Sequence, residues 1–140
     1  MHKMILATVL VASAAFAQQS LAAQCDANFT NEGSFFKGHT FKTTATLKGA
    51  PNDVFKAVYQ QVVKEGWTIS QADKELGSIT ATQTVSYGNG KTAPLNAMVE
   101  SAGSGSKVSF VFQLSGGTSS PEEAVKKGFC TLLSTAGPEA

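Results

Sequence analysis

Few side chains in this 140-residue chain suit covalent or acid–base chemistry, and their spacing narrows what they can do. The two cysteines, Cys25 and Cys130, lack the C-x-x-C spacing that lowers one thiol's pKa and positions a resolving partner. An isolated pair in an oxidising compartment is expected to close into a disulfide. That bond leaves no thiolate to act as a nucleophile or hold a metal. Beyond the opening stretch His39 is the only histidine, and one imidazole cannot build a His-rich zinc site. It reads as a polar residue at the start of a strand. The serines lie in turn-like stretches without a G-x-S-x-G elbow. Among the carboxylates, Asp73 and Glu75 read as a solvated turn, and Glu122 and Glu123 as a helix start. Neither a calcium loop nor a phosphate-binding loop occurs. The expectation is a protein that is not an enzyme, with no catalytic residue, metal ligand or cofactor.

The aromatic residues are more suggestive. Phe29, Phe35 and Phe36 fall in an early segment with little regular pattern, Trp67 follows a glycine, and Tyr87 precedes Gly88-Asn89-Gly90. Two readings stand side by side: closure of the core beside Cys25, or an apolar surface or cleft for a partner or ligand.

The elements that must position these residues begin after residue 17. His2 and Lys3 precede an uncharged run from Met4 to Ala17, and Ala15-Phe16-Ala17 has the A-x-A form of a signal-peptidase site. Residues 1–17 are therefore expected to be a signal peptide, with cleavage after residue 22 as the alternative. The run is shorter than the ~20 apolar residues a membrane span needs. Gln24, not a small residue, precedes Cys25, which argues against lipidation. The expected product is periplasmic or secreted, without stable membrane insertion. Loss of Lys3 reduces eleven basic residues to ten, equal to the ten Asp plus Glu, and there is no Arg. A neutral chain lacking the planar guanidinium fork is a poor nucleic-acid binder.

The remainder divides into an irregular lead-in (18–37), a single α+β domain (38–135) and a flexible tail (136–140). Phe41, Thr43, Ala45 and Leu47 alternate with polar residues, as in a strand with one wet face. Pro51 and Asp53 suit the start of a helix whose apolar stripe is Val54, Phe55, Val58, Val62 and Val63, closed by Gly66. Strands follow around Trp67–Ile69, Ile79–Val85, Leu95–Val99 and Val108–Leu114, with Asn89-Gly90 as the strongest hairpin signal. Ser120, Pro121 and Glu123 predict a capping box for a second helix bearing Val125, Phe129, Leu132 and Leu133. Gly128 weakens this helix and is expected to mark a close approach of backbones. The predicted order is β-α-β-β-β-β-α. It gives one curved antiparallel sheet of four to five strands, with two helices packed on one face.

The run DVFKAVYQQVVKEGWTISQADKELGSITATQ, an amphipathic helix, a Gly-aromatic step, a strand, an acidic turn and Gly-Ser-Ile-Thr-Ala, resembles small proteobacterial periplasmic proteins. Among these are the helix-grip domains of the outer-membrane assembly lipoprotein BamC. That resemblance covers roughly residues 41–133 and implies a non-enzymatic envelope domain, with Val54, Phe55, Val58, Trp67, Ile69, Gly77 and Ile79 as structural residues. The leading expectation is thus an accessory or protein-binding domain whose partner is an envelope protein. The alternatives are a carrier of a small hydrophobic ligand, for which Ala45, Ala81 and Ala97 would leave room, and an inhibitor of a secreted hydrolase acting through the loop Ser86 to Thr92.

Overall fold

The computed structural model describes residues 23–140; the expected signal peptide and both cleavage sites lie outside the described residues. In chain order the elements are α1 (Ala23–Ala27), β1 (Thr30–Ser34), β2 (Gly38–Leu47), α2 (Pro51–Lys64), β3 (Thr68–Asp73), β4 (Ser78–Thr84), β5 (Thr92–Ala102), β6 (Gly105–Leu114) and α3 (Glu122–Ala136). The strands form one antiparallel sheet in the order β1-β2-β6-β5-β4-β3.

Period-two burial explains why one face of this sheet takes the helices. Phe41, Thr43, Ala45 and Leu47 of β2 are buried, as are Leu95, Ala97 and Val99 of β5 and Val108, Phe110, Phe112 and Leu114 of β6. The register pairs Phe41 with Phe112 and Phe112 with Leu95, so these side chains form continuous rows across the sheet. Against them α2 sets Val54, Phe55, Val58 and Val62, and α3 sets Phe129, Leu132, Leu133 and Ala136. Val63, assigned to the α2 stripe from its spacing, is 48% exposed instead. Among the described residues every buried side-chain polar atom has a hydrogen-bond partner. Thr43 Oγ1, for instance, donates to the Cys25 carbonyl at 2.7 Å.

The α+β class and the order of the six elements from β2 to β6 follow the sequence reading, but the sheet has six strands rather than four to five, and there are three helices rather than two. Both additions come from the segment read as an irregular lead-in. β1 has no buried alternation because it is an edge strand held by backbone pairing to β2. Residues 136–140, expected as a flexible tail, are laid along the end of β2. The Lys48 amide donates to the Pro138 carbonyl at 3.0 Å, and the Ala140 amide to the Thr46 carbonyl at 2.8 Å. The predicted capping box is not formed. Pro121 itself is the N-cap in an extended conformation (ψ 127°), so α3 begins at Glu122 and Ser120 makes no capping bond.

Candidate functional site

Cys25 and Cys130 form a disulfide with Cα atoms 5.5 Å apart, tying α1 to α3 across 105 residues of sequence. Lys126, one turn before Cys130, strengthens the same junction. Its Nζ lies 3.1 Å from Asp26 Oδ1 and 5.5 Å from the centroid of the Phe29 ring. The hydrogen bond that Lys126 donates to Asp26, opposed in part by desolvation and helped by the charges of Asp26, Glu123 and Glu122, raises the lysine pKa above its ordinary value. Phe29 is half-buried, with ring centroids 6.1 Å from Phe41 and 6.0 Å from Phe129. Of the two readings offered by the sequence, Phe29 thus follows core closure beside Cys25.

Trp67 also packs against the core, but beside an opening. Gly66, at φ +89°, ends α2 and turns the chain so that the Trp67 amide donates back to the Val62 carbonyl at 3.2 Å. The indole then meets Phe112 edge-on, with centroids 5.5 Å apart. Between this indole and α3 the core is incomplete. A cavity of about 180 Å³ opens there, walled by Trp67, Phe112, Phe129, Leu132, Val125 and Ala124. Its rim carries the polar groups of Glu65, Gln83, Thr84, Ser86 and Ser120. Gly128 also lines it, and a Cβ built on Gly128 meets no atom within 4 Å. The backbone approach expected at this glycine is therefore absent; Gly128 is exposed and lies at the edge of the cavity. Ala45, Ala81 and Ala97 are buried but line no part of it. A wider hollow of about 290 Å³ lies at the opposite end of the sheet. It is lined by the Lys74–Gly77 turn, the start of α2 and the end of β5.

Phe35, Phe36 and Tyr87 are exposed at 49%, 88% and 66%. They stand at the same end of the sheet as the cavity rim, because β2 starts beside the end of β6 and β4 ends beside the start of β5. The loop 115–119 joins them. Gly117 donates its amide to the Phe35 carbonyl at 2.8 Å, and Tyr87 and Ser119 exchange backbone hydrogen bonds at 3.3 Å. Gly116 is required here, since a Cβ would strike the Phe36 carbonyl. Asn89 and Gly90 take positive φ (51° and 82°) in a tight turn closed by the Lys91 amide on the Gly88 carbonyl at 3.0 Å. This is the type I′ geometry that Asn-Gly favours, and it folds the loop Ser86 to Thr92 back on itself.

His39 Nδ1 lies 2.9 Å from Asn31 Oδ1, and Asn31 Nδ2 donates to Glu122 Oε2 at 2.9 Å. The amide oxygen can only accept, so Nδ1 carries the proton. The ring stacks on Phe41, and among the described residues no hydroxyl hydrogen-bonds to it. Asp73 Oδ1 accepts from the amides of Glu75 and Leu76, both at 3.0 Å, which makes it a turn residue. Among the described residues no group of three or more His, Cys, Asp or Glu side chains is placed to hold a metal ion.

The fold is shared with solved structures. Ara h 8.0201 matches with a TM-score of 0.52 at 14% identity, over 69% of this chain and 95% of its own. CalU16 from Micromonospora echinospora matches at 0.55 and 9% identity, over 79% of this chain and 81% of its own. EF2215 from Enterococcus faecalis, a conserved protein of unknown function, matches at 0.52 and 11% identity, over 83% and 80%. At such identities the likeness shows the fold alone: an α+β class with an antiparallel sheet. No protein-family model matches the sequence, and no curated protein does.

Proposed function

We propose that this chain is a non-enzymatic binding domain of the bacterial envelope, taking one small and largely apolar molecule between α3 and the sheet. The observation that carries this reading is the pairing of Gly128 with the cavity. A glycine inside an exposed helix costs about 1 kcal/mol relative to alanine, and at Gly128 no neighbouring backbone requires it. The space beside it is open, and Gly128 borders the same cavity as Trp67, Phe112 and Phe129. For scale, an engineered apolar cavity of ~150 Å³ accepts benzene, so about 180 Å³ suits one ring with a short substituent. The hydrogen bonds of His39 and Asp73 are spent on neighbouring turns and strands, which supports a role without catalysis. The disulfide suits an oxidising compartment such as the periplasm.

Native mass spectrometry of the protein purified gently from its own host's envelope tests this directly. The wild-type chain is expected to carry a reproducible small-molecule adduct that Gly128→Leu, whose side chain fills the cavity, does not. Spectra that show no such difference would count against a ligand in this cavity. A second reading, docking of an envelope protein, is favoured by the exposed Phe35, Phe36 and Tyr87 around the loop 115–119. It predicts a protein adduct that Gly128→Leu leaves intact.

A further inference from the structure

Within that proposed cavity, on whose reading this inference rests, the lining also carries a charge preference. Glu65 is the only ionisable side chain among the lining residues, and neither lysine nor histidine joins it. Glu65 caps the C-terminal end of α2 two residues before Trp67, where the partial negative charge of the helix end has the same sign as its carboxylate. Gln61 Nε2 donates to Glu65 Oε1 at 2.8 Å, which holds the carboxylate in place. Among the described residues nothing hydrogen-bonds to its second oxygen. The remaining rim groups, Gln83, Thr84, Ser86 and Ser120, are neutral.

From this arrangement we infer that the ligand is a small aromatic amine, its ring against Trp67, Phe112 and Phe129 and its ammonium at the Glu65 carboxylate. The apolar walls accept the ring of any such molecule, so selection falls to the polar end. An ammonium gains the attraction of Glu65 and of the negative end of α2, and it is also compatible with the face of an indole. An alcohol gains only a neutral hydrogen bond. A carboxylate meets like charge at the polar end, with no lysine among the lining residues to offset it.

Three probes of matched shape separate these cases: phenethylamine, 2-phenylethanol and phenylacetate. Each is titrated into the disulfide-bonded protein by calorimetry, with Trp67, the only tryptophan, as a fluorescence reporter. The expected order is amine tighter than alcohol by about fivefold, as for an ion pair worth ~1 kcal/mol at a surface, with the carboxylate weakest. Glu65→Gln is expected to bring amine and alcohol together without weakening the alcohol, and added salt to narrow the wild-type gap. Gly128→Leu is expected to abolish all three. Should the alcohol bind as tightly as the amine, or the carboxylate bind best, the amine inference is overturned while the cavity reading stands. Binding of none of the three overturns both.

Discussion

The two flanks of α3 solve opposite problems. On one, Lys126 and Cys130 stand four residues apart and face α1, where they meet Asp26, the Phe29 ring and Cys25. On the other, Ala124 and Gly128 stand four residues apart, exposed, and border the cavity that Trp67 also lines. Residues four apart share a helix face, so the helix is bolted along one edge and left unpacked along the other. The bolted flank gives α3 a fixed position from which the open flank can hold its distance from the sheet. Without that anchor, the apolar drive to fill the void would draw the helix inward, because interiors tend towards close packing.

Breaking the bolt is expected to have the largest effect. With the cysteines 105 positions apart, loop-closure entropy predicts a loss of about 4–5 kcal/mol for the Cys25→Ser, Cys130→Ser double variant. Urea denaturation of the variant beside the oxidised wild type reads this as a lower midpoint. Neither cysteine lines the cavity. Under conditions where the variant remains folded, its ligand affinity therefore tests whether the bolt also sets the width of the open flank. Unchanged affinity would mean that the aromatic packing of Phe29, Phe41 and Phe129 suffices to hold α3 in place.

Filling the open flank by one methyl group sharpens the comparison in the other direction. Gly128→Ala is expected to stabilise the protein by about 1 kcal/mol, since alanine restores helix propensity and its Cβ meets nothing within 4 Å. Thermal melting checks this. A destabilised Gly128→Ala would show that the helix needs backbone freedom at this position, and the void would then no longer explain the glycine.

How much of this contrast was legible in the sequence differs between the flanks. The alternation of Phe41, Thr43, Ala45 and Leu47 and the stripe Val54, Phe55, Val58 and Val62 reported the core directly, because period and burial are linked by backbone geometry alone. The cysteine pair reported the bolt because two cysteines without a redox-motif spacing leave few other pairings. β1 was hidden because Thr-Asn-Glu-Gly-Ser is polar throughout, and an edge strand is held by backbone bonds that leave no side-chain pattern. The shift of the α3 start to Glu122 was hidden because serine before proline fits a cap, while the structure uses Pro121 in extended form and spends Glu122 on Asn31. The cavity was hidden most deeply. It depends on what is missing at Gly128 opposite a residue 61 positions away, and a helical glycine signals close packing as readily as a void. Glu65, beside the helix-ending glycine, gave no sign of being the charged group at the rim. Only its adjacency to Gly66 and Trp67 hinted that it would share their surroundings.

The smallest expected effect lies again on the bolted flank, in the pairing of Lys126 with Asp26. Folding raises the Lys126 pKa above its ordinary 10.5, first through the Asp26 hydrogen bond and then through the charges of Asp26, Glu123 and Glu122, with desolvation opposing. A raised lysine pKa means that the folded state holds the proton more tightly than the unfolded chain does. The contribution to stability is therefore complete below the unfolded value and is lost as pH rises through the folded one. Lys126→Met keeps a hydrocarbon stem and removes the charge of Nζ, which stands over the Phe29 ring. The difference in melting temperature between wild type and this variant is expected to stay constant from neutral pH to about pH 10 and to shrink above it. Measuring the difference cancels the other lysines and tyrosines that titrate in the same range. A difference that persists undiminished above the lysine range would show that the charge of Lys126 is not its source. The bolt would then rest on the disulfide and apolar contact alone.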